Sequence, residues 1–372
     1  MIGASRHPRS VAIALAMLVA CNNAASTPPP PAPLAPLAPS RTPPPPSGQA
    51  GGGSAKAAPA EPVPLASKRI IMLDEPTLDL PKQESFTLLG PGTGKRAVLR
   101  YTLAAGRTAV IAQTTLSESH LSGSGFTRPA ALPAIRDGFA VTTSAAQRGQ
   151  LALRALAAEV AAPSPDADAY LASWRTLLQD RRITVAVDDR GMFTTIAFTD
   201  DPAAARNAQA RDELAQRLAS TLVPLPAEPI GAGARWKVVT ILRQGRTYAK
   251  QTAIYTLVST TAAGWKLHVK LQRVGEQQFI NDPSLPSGMT AELLAMFRQL
   301  EGDVEVDPQH PLITGGSLAI ESRMHVKLTA QNQPPTEQMF EDTGTVVFTR
   351  CRPAAPGNAA HRFGDCPDGF AP

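Results

Sequence analysis

Aromatic residues are scarce in this 372-residue chain, at 5%, so a core has to be built mainly from aliphatic side chains. Charge of one sign is not concentrated anywhere. The net charge is +5 and spread out, and it falls to +3 if Arg6 and Arg9 are removed with a leader. Nucleic-acid binding, which calls for a concentrated basic face, is not expected. Histidine is sparse too: no H-E-x-x-H occurs, and the closest pair, His310 and His325, stand fifteen positions apart. No zinc site is expected on that spacing. No apolar run reaches the roughly 20 residues that a membrane-spanning helix requires. Cysteine is nearly missing, with only Cys21, Cys351 and Cys366.

One stretch looks like chemistry and fails on inspection. Leu88–Arg96, LLGPGTGKR, approximates a phosphate-binding loop. The pattern needs a glycine where Leu89 stands and a hydroxyl where Arg96 stands, and a helix must follow. The following AVLRYTL reads as a strand, so the expectation is a Gly/Pro turn between strands, with no nucleotide and no other cofactor.

The first twenty residues carry Arg6 and Arg9, then the apolar run VAIALAMLV and a small residue, which is the layout of an export signal. The junction Leu18-Val19-Ala20-Cys21 resembles the lipobox of bacterial lipoproteins. The resemblance implies that Cys21 receives a diacylglyceryl group, that the chain is cut before it, and that the new amino terminus is acylated, as with palmitate. Thiolate nucleophilicity is the reason for cysteine there. The alternative is an ordinary signal peptide cut near Ala25. Several acyl chains, at about 0.8 kcal/mol per buried CH₂, hold a protein on a bilayer stably where one does not. Asn22, in place of Asp, favours the outer over the inner membrane by resemblance to sorting in enteric bacteria.

Beyond Cys21 the composition changes to PPPPAPLAPLAPSRTPPPP and then SGQAGGGSAKAAPAEPVP. Proline favours an extended chain at about 3.1 Å per residue, glycine and serine a flexible one, and neither buries enough apolar surface to fold. The organisation expected is a signal peptide over 1–20, a lipidated and disordered tether over 21–67, a β-rich globular domain over 68–350, and a C-terminal tail over 351–372. An exported chain can keep disulfides, so Cys351 and Cys366 are expected to pair; only His361 lies between them as a further metal ligand.

Period-two alternation dominates the domain. In WKLHVKLQ, Trp265, Leu267, Val269 and Leu271 point one way and Lys266, His268, Lys270 and Gln272 the other; SRMHVKLT repeats this with Met324, Val326 and Leu328. Hairpins are expected in 97–116, in 181–198 around Asp189-Arg190-Gly191, and in 248–272. The tripeptide YTL recurs at Tyr101 and Tyr255, a weak hint of duplication. Ser164-Pro165-Asp166 can start a helix bearing Tyr170, Leu171, Trp174, Leu177 and Leu178. Asp201-Pro202 can start another carrying Leu214, Leu218 and Leu222. Arg154–Val160 and Ala291–Arg298 read as helix by composition and as strand by position. The fold class is α+β, mostly β: a curved, half-barrel-like antiparallel sheet packed on one or two helices.

Candidate chemistry is thin. His120 could activate Ser122 or Ser124, but HLSGSGF is no nucleophile elbow. Glu301, Asp303, Glu305 and Asp307 share one face of a strand and could bind Ca²⁺. The preferred reading is a wet face neutralised by Arg323, His325 and Lys327 on a neighbouring strand. The segment LPAEPIGAGARW, Leu225–Trp236, is similar to a P-x-x-P-V-G-x-G-x-x-W segment in an uncharacterised family of bacterial envelope lipoproteins, with Ile230 in place of valine. That resemblance spans about Arg69 to Arg350 and implies no catalytic residue. The function expected is that of a membrane-anchored envelope lipoprotein, non-enzymatic, binding or structural, whose partners are the membrane and an apolar ligand or envelope protein. Alternatives are a carrier of lipid or another apolar ligand, and a hydrolase with a dispersed site.

Overall fold

The computed structural model describes residues 82–353 and 370–371, apart from 104–105, 107, 124–125, 132–133, 144–148, 163–164, 179–181, 199–203, 245–246, 262, 281–284, 286 and 332. The export signal, Cys21, the tether and Cys366 lie outside the described residues.

Among the described residues, eighteen strands and two helices follow in chain order. The first five strands are β1 (Lys82–Gly90), β2 (Thr93–Ala97), β3 (Thr108–Gly123), β4 (Phe126–Ala131) and β5 (Ile135–Thr143). After β6 (Gln150–Ala155) and β7 (Glu159–Val160) comes helix α1 (Pro165–Leu177), then β8 (Arg182–Val187), β9 (Phe193–Phe198) and helix α2 (Ala204–Thr221). The rest is β10 (Ile230–Ala232), β11 (Arg235–Gln244), β12 (Thr247–Thr261), β13 (Gly264–Gly275), β14 (Gln278–Ile280), β15 (Met289–Val306), β16 (Ile313–Ala330), β17 (Thr336–Pro353) and β18 (Phe370–Ala371).

Sixteen strands form one antiparallel sheet, with the path β1-β11-β12-β13-β15-β16-β17-β3-β5-β6-β8-β9, and β2 pairs with β10 apart from it. The sheet does not close on itself. The α+β, mostly β class read from the alternation is the class of the structure. On β13, Trp265, Leu267, Val269 and Leu271 are all buried, and Val326 and Leu328 on β16 are buried likewise.

The hairpins around Asp189 and in 248–272 form as expected, β8 with β9 and β12 with β13. The one expected in 97–116 does not. Residues 98–103 pair with no strand; Tyr101 N–H donates to Asp189 C=O at 2.8 Å and Thr102 N–H to Pro308 C=O at 2.7 Å. Neither ambiguous segment is helix: Arg154 and Ala155 end β6, residues 156–158 are irregular, Glu159–Val160 is β7, and Ala291–Arg298 lies within β15. Arg154 pairs with Ala140 and Arg182, and Ala291–Arg298 lies between β13 or β14 and β16. A row of cross-strand partners outweighs the small helical preference of Ala and Leu. Both helices form, and Trp174, Leu178, Leu214, Leu218 and Leu222 are buried as their spacing implies.

The glycine-rich segments have a structural role. Leu88–Arg96 forms the end of β1, a turn and β2, and β2 pairs with β10 inside the LPAEPIGAGARW segment. Gly92 has φ +78°, and a Cβ there would lie 2.4 Å from Gly231 C=O; a Cβ on Gly231 would lie 2.3 Å from Thr93 C=O. Two backbones meet closer than any side chain permits. Trp236 then enters the core, donating its indole N–H to Pro224 C=O at 2.7 Å and stacking on Tyr255 at 5.5 Å. Gly231→Ala is expected to cost about 1–3 kcal/mol, the usual penalty for overpacking. Gly90→Ala, where nothing lies within 4 Å, is the control, and denaturant titration compares the two.

Candidate functional site

The concave side of the curved sheet is where a ligand would sit, and α2 occupies it. Alternation on β12 turns Gln251, Ala253, Tyr255 and Leu257 inward, and on β13 it turns Leu271 and Arg273 inward. Leu214 and Leu218 of α2, with Leu222 just after it, pack with Leu151, Leu153, Ile183 and Val185 of β6 and β8, while Ala219 packs with Leu242 and Ala249 of β11 and β12.

A helix C-terminus leaves carbonyl groups without intrahelical donors, and burial makes that costly. The sheet supplies the donors. Gln251 Nε2 donates to Ala219 C=O at 2.6 Å, Tyr255 OH to Leu222 C=O at 3.5 Å, and Tyr101 OH to Val223 C=O at 2.8 Å. Arg273 donates to Gln251 Oε1 at 2.9 Å and to Ser220 Oγ at 2.6 Å. Its charge stands at the negative end of the helix dipole, where a cation is favoured. Earlier in α2, Asp212 pairs with Arg243 of β11 at 3.1 Å. Arg217 pairs with Asp137 of β5 at 2.8 Å while lying 4.5 Å over the Trp174 ring. The helix is thus bonded to both halves of the sheet.

Beside the end of α2 is a recess of about 50 Å³, lined among others by Gly191, Phe193, Leu222, Thr240, Gln251 and Tyr255. Pockets for drug-sized ligands run to about 300–1,000 Å³. The recess has room for a few ordered waters and not for an acyl chain. Burial pushes the Tyr255 phenol up, and burial with the nearby Tyr255 pushes Tyr101 well above its ordinary value. Both remain neutral donors.

The residues singled out from the sequence are not brought together here. His120 is exposed on β3, across from Glu341 and Pro129, and among the described residues no hydrogen bond joins it to Ser122. Ser124 lies outside them. Glu301, Asp303 and Glu305 lie on β15 and Asp307 just beyond it; the basic neighbours are on β13 and, for Asp307, on β17, not on β16 as expected. Lys270 pairs with Glu301 at 2.9 Å, His268 with Asp303 at 3.0 Å, and Arg350 with Asp307. Arg323, His325 and Lys327 instead meet Glu321, Glu341, Glu337 and Glu292. The Lys270 hydrogen bond, with the charges of Lys270 and His268, holds the Glu301 carboxyl below its usual range against the opposing effect of burial. Among the described residues no group of three or more ligating side chains could hold a metal ion. Cys351, read as the start of the tail, is fully buried in β17, and its expected pairing with Cys366 falls outside the described residues.

Gln251 and Arg273 were not singled out from the sequence, although a signal existed. Each is a polar residue at an inward position of an otherwise apolar alternation: Ala249, Gln251, Ala253 and Leu271, Arg273, Gly275. A polar break in such a row marks a partner arriving from across the core.

Replacing Tyr101 by Phe removes the donor to a buried carbonyl and is expected to cost about 1–3 kcal/mol. The sign of its pH dependence follows from the raised phenol pKa. The stabilisation is complete below the unfolded value of 10.0 and is lost as pH rises beyond it. Stability of Tyr101→Phe is therefore expected to fall less steeply than that of the parent above pH 10.0, measured by urea titration across the alkaline range.

No protein-family model matches the chain, and no curated protein matches it either.

Proposed function

We propose that this chain is a lipid-anchored protein of the bacterial cell envelope, with a domain that acts by binding or scaffolding and not by turnover. The observation that carries the second half is the helix on the concave side: α2 covers the inner faces of β6, β8, β11 and β12, and the polar side chains there, Gln251, Arg273, Tyr101 and Tyr255, are engaged in holding α2 and the residues that follow it. The first half rests on the Leu18–Cys21 junction followed by a Pro-rich spacer, and the absence of Asp after Cys21 favours the outer membrane. Among the described residues no helix is long and apolar enough to cross a membrane, and a covalent anchor is the attachment proposed.

The anchor is tested by metabolic labelling with an alkyne fatty acid in a bacterial host. The parent is expected to take up label and partition into detergent with the membranes. After a wash at about 1 M salt, which screens surface electrostatic binding, Cys21→Ser is expected to lose both; normal processing and salt-resistant membrane partitioning of that variant would sink the reading.

A second reading, a carrier for lipid or another apolar ligand, draws on the curved sheet with its aliphatic concave wall. In that reading a ligand seated beside α2 has to displace the helix, because the recess of about 50 Å³ there is too small for an acyl chain. Lipid extraction and mass spectrometry of the purified chain distinguish the two. The binding or scaffolding reading predicts no stoichiometric lipid after mild detergent exchange, and one lipid per chain would favour the carrier.

A further inference from the structure

One end of the sheet carries cations and apolar side chains without matching acids. β2 has every residue exposed, Lys95 and Arg96 among them. The outward positions of β11 next to it are Arg235, paired with Gly90, and Lys237, paired with Thr87. Among the described residues no ion pair joins a carboxylate to any of these four. Arg96 donates only to Gly92 C=O, at 3.0 Å. Glu228, exposed in the loop before β10, makes no such pair either. Glu301 and Asp303 of β15 lie beyond β12 and β13 and are met by Lys266, His268 and Lys270; Glu305 lies on β15 as well, separated by those same strands from β11 and its cations.

Three of the six large apolar side chains exposed among the described residues stand at this same end: Leu89 at 47%, Val98 at 50% and Val258 at 47%. Leu89 precedes Gly90, the partner of Arg235, and Val98 follows Ala97, the partner of Ile230. Val258 follows Leu257, whose backbone bonds Gly233 and Ala234. Close backbone contact at Gly92 and Gly231 fixes the β2 turn against this corner.

We propose that this corner is a docking surface for an anionic lipid bilayer, with Lys95, Arg96, Arg235 and Lys237 on the headgroups and Leu89, Val98 and Val258 at the acyl boundary. Charge complementarity names the partner class. Basic residues near an anionic membrane surface each strengthen binding, and exposed apolar side chains add interfacial burial. The apolar triad favours a bilayer over a soluble polyanion, which offers no apolar layer. The anchor of the preceding section would bring the corner close to a membrane, but docking does not require it.

The test uses the full chain carrying Cys21→Ser, so that acylation plays no part, and co-sedimentation with phosphatidylcholine vesicles with or without phosphatidylglycerol. Binding is expected only with the anionic lipid. It is expected to weaken about fivefold per cation removed in Lys95→Gln, Arg96→Gln, Arg235→Gln and Lys237→Gln, alone and combined. Arg323→Gln, on an outward position already paired with acids, leaves it unchanged. Salt raised from about 0.1 M to about 1 M, which shortens the screening length from about 10 Å to about 3 Å, weakens the parent without any substitution. Leu89→Ser and Val258→Ser weaken binding at either salt. Equal binding to neutral vesicles, no binding to either, indifference to the four cations, or retention of single-stranded DNA in place of vesicles would each overturn the proposal. Because Cys21 is absent from the test protein, none of these outcomes bears on acylation, and failure of acylation leaves this result intact.

Discussion

The rest of this fold depends on the seating of α2 against the concave side of an open sheet. An open antiparallel sheet of aliphatic strands exposes its inner face to water unless something covers it. Here the chain supplies its own cover between β9 and β10. The apolar contact of Leu214, Leu218 and Leu222 is generic, and it would tolerate the helix sliding along its axis. Gln251 and Arg273 remove that freedom, because they address individual groups, Ala219 C=O and Ser220 Oγ. Burial is what gives those bonds their directing power: a misplaced helix would leave a buried guanidinium and several carbonyls without partners.

The same helix links distant parts of the chain. Asp212 reaches β11 and Arg217 reaches β5, elements far apart along the strand path. At its end the chain passes through Val223, Pro224 and Leu225, where Tyr101, the indole of Trp236 and the Arg190 guanidinium all find acceptors. This short irregular stretch is buried, and a buried irregular backbone needs donors from elsewhere. Three separate parts of the sequence provide them. The glycine-rich stretch from Gly231 then fixes β2 on β10, so that Trp236 enters the core at a set position.

Much of the sheet was legible because one face of each long strand is buried, and period-two alternation records that fact directly. Strand β13 is the clear case, since Trp265 to Leu271 are inward in the alternation and in the fold. Legibility failed where the partner is not local. Ala291–Arg298 has the composition of a helix, and only its neighbours on β13, β14 and β16 make it a strand. Residues 98–103 have the composition of a strand, yet their backbone bonds go to Asp189 and Pro308 in remote loops. Glu301, Asp303 and Asp307 do meet opposing charges, but not those of Arg323, His325 and Lys327, because strand order is not written in local pattern. The partners come from β13 and β17 where β16 was expected. The polar site around α2 went unread for a related reason: an inward Gln or Arg announces that something must meet it without saying what.

The two outermost strands, β1 and β9, share no main-chain ladder. Across the gap Arg190 lies 4.8 Å over the Phe86 ring, and at one end Arg190 and Leu225 exchange backbone and side-chain bonds. The sheet is therefore a cuff and not a ring. Across the core its two halves are joined by α2, through Asp212 to β11 and through Arg217 to β5, so that this helix sets its girth.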